Sequence, residues 1–171
     1  MEEIKHWELD KLENLINEKL PSRKRQRLAS QILATIVHIL GKHLKRTHGY
    51  SVLLTVLKRE MRELGRKNAI LLKELFGVKE ATEESIKSIL NIAAMILGLE
   101  LGLINEREVA AIKCPFYETL REFNDPFLCN ACLAYNNGIV EELTGGKLGV
   151  KRVKWLFNGD GCCIYGTAEK A

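Results

Sequence analysis

The sequence predicts an α+β fold: an N-terminal helical layer, then a small antiparallel sheet with one helix packed across it. Three observations carry this expectation. Apolar residues recur at helical spacing through most of the first 97 positions. After Gly98 the pattern shortens to strand-length runs bounded by turn residues. One more helical stretch, residues 127–143, lies between those strand-like segments and supplies the crossing helix. At 171 residues the chain is long enough for one substantial core.

The elements follow in order. Residues 7–19 read as a short helix, with Leu9, Leu12, Leu15 and Ile16 at helical spacing. Pro21 breaks it, and Ser22 is the candidate cap of a long helix running to about residue 47. On that helix Leu28, Ile32, Ile36, Ile39 and His43 form one stripe, and Leu33, Val37, Leu40 and Leu44 form its neighbour. So wide an apolar face predicts burial on more than one side, including against a second subunit. Gly49 ends the helix, and Ser51 is the candidate cap of the next, which runs to Leu75 with Leu53, Leu57, Met61 and Leu64 inward. Gly77 closes it. Thr82 then caps a helix whose first turn carries Glu83 and Glu84, where the helix dipole favours acids. Its inward residues are Ile86, Ile89, Leu90, Ala93 and Ile96.

Residues 99–104 and 108–114 read as two strands joined by a turn at Asn105, Glu106 and Arg107. Asp125-Pro126 opens the helix over 127–143, and Gly145-Gly146 stops it. Residues 147–157 alternate as a strand, Asn158-Gly159-Asp160-Gly161 has hairpin-turn composition, and 162–168 form the closing strand. Residues 1–75 are the expected dimerisation layer of a homodimer, and 76–171 the expected ligand-binding domain.

Composition excludes several function classes. The net charge of +4 conceals an asymmetry: residues 1–75 hold 16 Lys/Arg against 9 Asp/Glu, and residues 76–171 hold 10 against 13. The basic excess peaks at Arg23, Lys24, Arg25 and Arg27, with no aromatic residues interleaved to stack on bases, which disfavours nucleic acid as a partner. No charge-free apolar run is long enough for a bilayer of roughly 30 Å, and the opening MEEIKHWELD is unlike a signal peptide; a cytoplasmic location is expected. No GxGxxG, phosphate loop, GxSxG or HExxH motif is present. His38, His43 and His48 stand five apart, so consecutive members point about 140° from one another and make no common ligand face.

All five cysteines lie between residues 114 and 163. Cys129 and Cys132 sit three apart on the crossing helix and face the same way. Cys162 and Cys163 are strand neighbours and point to opposite faces, so one of them can join a shared site. Cys114, Cys129, Cys132 and Cys163 are the candidate ligands of a closed, structural zinc site. Iron or a disulfide are the alternatives at the same thiols. A thioredoxin-type role lacks its βαβ surroundings. Phe116, Phe123, Phe127 and Tyr135 flank the place where helix crosses sheet and are the candidate lining of a site for a small apolar ligand.

Taken in order, GLELGLI, CPF, CNACLAYNNGIVEELTGG and NGDGCCIYG resemble the 4-vinyl reductase or hydrocarbon-binding domain family over about 100 residues, 65 to 167. The resemblance implies an α+β ligand-binding domain related in fold to TRAPP trafficking subunits and often dimeric through N-terminal helices. It implies a sensor or carrier of hydrophobic molecules. Relatives include sensors of aromatic-responsive transcription regulators and a protein linked to bacteriochlorophyll synthesis. Alternatives are a vinyl-reductase-like enzyme acting on a tetrapyrrole, and a regulatory or adaptor subunit. It also implies zinc held by a Cys at the helix start, a Glu and a Cys on the penultimate strand, and a Cys on the last strand. Cys129 and Cys163 match the outer two; Arg152 and Trp155 stand where the Glu and Cys are expected, leaving Cys114 and Cys132 as the substitutes read from this sequence alone.

Overall fold

The structure is a computed structural model that describes residues 21–78, 81–105 and 107–169. The helix expected over 7–19 lies outside them. The described chain runs α1 (Ser22–His48), α2 (Tyr50–Leu75), α3 (Glu83–Ile96), β1 (Glu100–Leu103), β2 (Glu108–Lys113), α4 (Tyr117–Phe123), α5 (Phe127–Thr144), β3 (Leu148–Lys154), a 3-10 turn (Leu156–Asn158) and β4 (Cys163–Glu169). The strands form one antiparallel sheet in the order β1-β2-β4-β3. This is the expected α+β arrangement of helical layer, sheet and crossing helix.

Local chemistry sets most boundaries. Thr82 Oγ1 accepts the Ser85 N–H at 3.2 Å and caps α3. Asp125 Oδ1 accepts the Phe127 N–H at 3.0 Å at the start of α5. Gly145 ends α5 at φ 60°, a left-handed conformation that suits glycine. Ser22 and Ser51 do not act as caps. Each lies inside its helix, behind Pro21 and Gly49 respectively, and neither helix has a side-chain cap.

The core lies where α2, α3 and α5 meet, around Ala69, Leu72, Ile86, Ile89, Ile139 and Val140. α2 and α5 approach so closely that a Cβ on Gly65 would strike the Tyr135 carbonyl, and one on Gly138 the Arg62 carbonyl. The same interface buries Glu141, whose carboxylate meets Arg66 Nη2 at 3.0 Å and Arg62 Nε at 3.6 Å. Asn68 Nδ2 donates to the Tyr135 hydroxyl at 2.9 Å. Leu64 and Ile96, expected inward, are exposed: the close contact runs through Gly65 and Ala69 on α2, and Ile96 is the last residue of α3.

Two segments differ from expectation. Residues 117–123 form α4, too short to show helical periodicity in sequence. The strand expected over 147–157 ends at Lys154, and an eight-residue connection replaces a tight hairpin. There Asp160 Oδ2 accepts the Trp155 N–H at 2.7 Å, so this carboxylate braces the connection. No helix among the described residues is long and apolar enough to cross a membrane.

Candidate functional site

Strand register builds one wall of an apolar cavity. Leu101 pairs with Ala111, Ala111 with Cys163, and Val109 with Tyr165. Directly opposed residues share a face of the sheet, so these side chains form one continuous surface. α3 places Leu90, Ala93 and Leu97 over it, and α5 adds Cys129, Cys132 and Tyr135. Cys114, Phe116 and Leu120 contribute from the segment around α4, and Leu156 and Phe157 from the 3-10 turn. The cavity volume is about 70 Å³. That is a narrow crevice suited to a single ring or a short chain.

The structure brings most of the sequence-derived site residues here. Cys114, Cys129, Cys132, Cys163, Phe116 and Tyr135 all line the cavity. Phe123 and Phe127 do not: they pack on the buried His38 ring, with centroids 4.2 and 6.3 Å away. Cys162, half-buried, precedes β4 and is not on the cavity wall. All five cysteines are free thiols. The four cavity thiols come from three segments of the lining: the end of β2, α5 and β4. Among the described residues no group of three or more His, Cys, Asp or Glu side chains is gathered to hold a metal ion.

Burial governs the thiols. It pushes the Cys114 pKa up to about 12, against the pull of the Phe116 N–H and with Cys129 and Cys163 nearby adding to the rise. Cys132 is raised by burial and by its thiol neighbours, and Tyr165 likewise. Burial also raises Cys129, partly offset by the Trp155 indole N–H and the Arg152 guanidinium. A low-dielectric wall disfavours charged thiolates, so these groups are neutral around pH 7 and present an apolar surface.

A polar pair lies behind the Cys129 side chain, next to the cavity lining. Arg152 pairs across the sheet with Tyr165 and therefore lies on the inner face. Its Nη2 donates to the Cys129 carbonyl at 2.8 Å, and its guanidinium carbon stands 4.1 Å over the Trp155 ring. The Leu156 N–H donates to Cys163 Sγ at 3.3 Å. The resemblance places Arg152 and Trp155 where a Glu and a Cys are expected, but it gives no sign of their stacking or of the Arg152 bond to the Cys129 carbonyl. The available sign of the inward position of Arg152 was its place two residues from the inward Val150 on the same strand.

No family model matches the sequence, and no curated protein sequence matches it either. Solved structures do share its fold. One is trafficking protein particle complex subunit 3 from Naegleria fowleri covalently bound to palmitic acid. It is 15% identical, with a TM-score of 0.62 over 84% of this chain and 96% of that one. Another is the phenol-responsive sensory domain of the transcription activator PoxR with phenol. It is also 15% identical, with a TM-score of 0.58 over 78% of this chain and 73% of that one. The chain thus has the fold of TRAPP subunits and of this sensory domain.

Proposed function

We propose that this chain is a binding module for a small apolar molecule, acting as a sensor or carrier, of the hydrocarbon-binding kind that its C-terminal motifs resemble. The observation that carries the reading is the cavity itself, bounded by the sheet on one side and by α3 and α5 on the other, with cysteines in its wall. Two proteins of the same fold supply precedent: one structure holds palmitic acid and the other phenol. The narrow free space favours a single ring or a short alkyl chain as guest. The module works as a homodimer joined through α1 and α2, whose outer faces carry Leu33, Leu40, Leu71 and Leu75 exposed.

Native mass spectrometry tests the reading in one measurement, since it reports subunit number, retained guest and bound metal together. The expected result is a dimer that takes up phenol or octanoate. Ala111→Phe, which fills the cavity from the sheet, should abolish uptake. Wild-type protein that takes up neither probe, or a filled variant that still takes them up, would remove the proposal.

A further inference from the structure

We infer that the cavity also reads a head group: Arg152 and Trp155 together receive the carboxylate of an otherwise apolar guest. This rests on the binding function proposed above and names its ligand class.

Among the described residues, three buried side-chain polar atoms have no hydrogen-bond partner: His38 Nδ1, Arg152 Nε and Trp155 Nε1. Two of the three belong to side chains stacked on each other, the guanidinium carbon 4.1 Å over the indole. Buried unpaired donors are few in folded proteins because each forfeits its bond to water. Arg152 Nε has no acceptor, and Trp155 Nε1 has only the weak sulfur acceptor of Cys129 near it, so a stronger acceptor would be favoured beside this pair.

Their position ties that place to the cavity. Arg152 lies on the inner face of the sheet beside Tyr165, a wall residue. Trp155 precedes Leu156, another wall residue. Both reach Cys129, Arg152 through the backbone carbonyl and Trp155 toward the thiol, and Cys129 lines the cavity. Neither orphan N–H is on the cavity surface; Cys129 stands between. On this proposal the acceptor enters beside the Cys129 side chain, which separates the cavity from both residues.

Charge selects the acceptor. Among the described residues no carboxylate lies within ion-pairing distance of Arg152. A guanidinium at the edge of an apolar cavity favours an anion, and a carboxylate offers one oxygen to Arg152 Nε–H and the other to Trp155 Nε1–H. The apolar wall takes the rest of the molecule. The guest is therefore a short-chain or single-ring carboxylic acid in its ionised form.

Isothermal titration of the full chain with octanoate and with 1-octanol, near neutral pH, tests this. Wild type should bind octanoate about tenfold more tightly than octanol. Arg152→Met should bring the two affinities together by weakening octanoate about tenfold. Trp155→Phe keeps a ring under the guanidinium and loses only the N–H, so it should reduce the preference by about threefold. Equal affinities in wild type, or a preference that survives both substitutions, would overturn head-group recognition and leave the cavity standing. If neither probe binds wild type, the binding function fails, and the inference with it.

Discussion

Asn137 and Val150 exchange two hydrogen bonds: Asn137 Nδ2 donates to the Val150 carbonyl at 2.9 Å, and the Val150 N–H donates to Asn137 Oδ1 at 2.9 Å. β3 is an edge strand, so the side-chain amide serves Val150 as a neighbouring strand would. The same nitrogen donates to the Leu133 carbonyl at 3.0 Å, which holds the amide in place. The contact fixes α5 to the sheet midway along the helix and so sets the height of Cys129, Cys132 and Tyr135 over the cavity. Asn137→Leu strands both backbone groups and should lower stability by about 2 kcal/mol. Urea denaturation would show it as a fall in midpoint at unchanged slope, and an unchanged midpoint would refute it.

The α2–α5 crossing makes a harsher test. Gly65 and Gly138 have no room for a Cβ, since each would meet a backbone carbonyl of the facing helix. A carbonyl cannot rotate away as a side chain can, so the helices must separate. Gly138→Ala should therefore destabilise by roughly 3 kcal/mol, although alanine is the better helix former. A variant at least as stable as wild type in thermal melting would show that the helices do not approach so closely.

Residues with purely local signals were legible in the sequence, and those defined by distant neighbours were not. Thr82, Gly49, Asp125 and Gly145 were readable because a cap or stop is decided within a few residues. Ser22 and Ser51 misled because proline and glycine just ahead of them start the helices instead. The inward positions on β2 and β4 follow from strand alternation; alternation allows one of Cys162 and Cys163 to face inward, and the resemblance points to Cys163, which lines the cavity. Phe123 and Phe127 carried no mark separating a ligand wall from a partner for His38, because that choice belongs to α1, nearly a hundred residues earlier. The unpaired state of Arg152 and Trp155 is a tertiary property and has no sequence signature.

His38 gives the fold a pH dependence. Burial pulls its pKa below 6.5, with Lys42 and Lys45 acting in the same direction and Asp125 opposing. The unfolded chain therefore binds the proton more readily than the folded one. His38 contributes full stability above about pH 6.5, and that stability is lost as pH falls through the lower folded-state value. Melting temperature measured from about pH 8 down to pH 5 should drop at the acid end, and His38→Phe, which keeps an aromatic ring against Phe123, should flatten that drop. A curve of the same shape in both proteins would exclude His38 as the source.

The cavity thiols should be slow to react. With Cys114 at about 12, roughly one molecule in ten thousand carries its thiolate at about pH 8. Burial raises Cys129 and Cys132 as well. Cys162 is outside the cavity wall. Iodoacetamide followed by peptide mapping should label Cys162 well ahead of Cys114, Cys129 and Cys132, and addition of denaturant should remove the difference. Labelling of Cys114 or Cys132 at the Cys162 rate in the folded protein would mean that the cavity is open to water.

The outer face of α1 should decide the oligomeric state. Leu33 and Leu40 are 61% and 58% exposed in the single chain and stand seven apart, on one stripe. His38, Ala34 and Gly41 on the opposite side of the helix are buried against the domain. The helix is therefore anchored by one face while the other offers leucines and isoleucines to water. A second copy removes that surface at no cost to the first set of contacts. Substituting both Leu33 and Leu40 with Glu should convert a dimer to a monomer in sedimentation velocity. The melting temperature of the isolated chain should barely change, because neither side chain is buried within it. Wild-type protein that sediments as a monomer at high concentration would exclude the dimer. A double variant that unfolds would instead show that these leucines are covered by the chain's own residues.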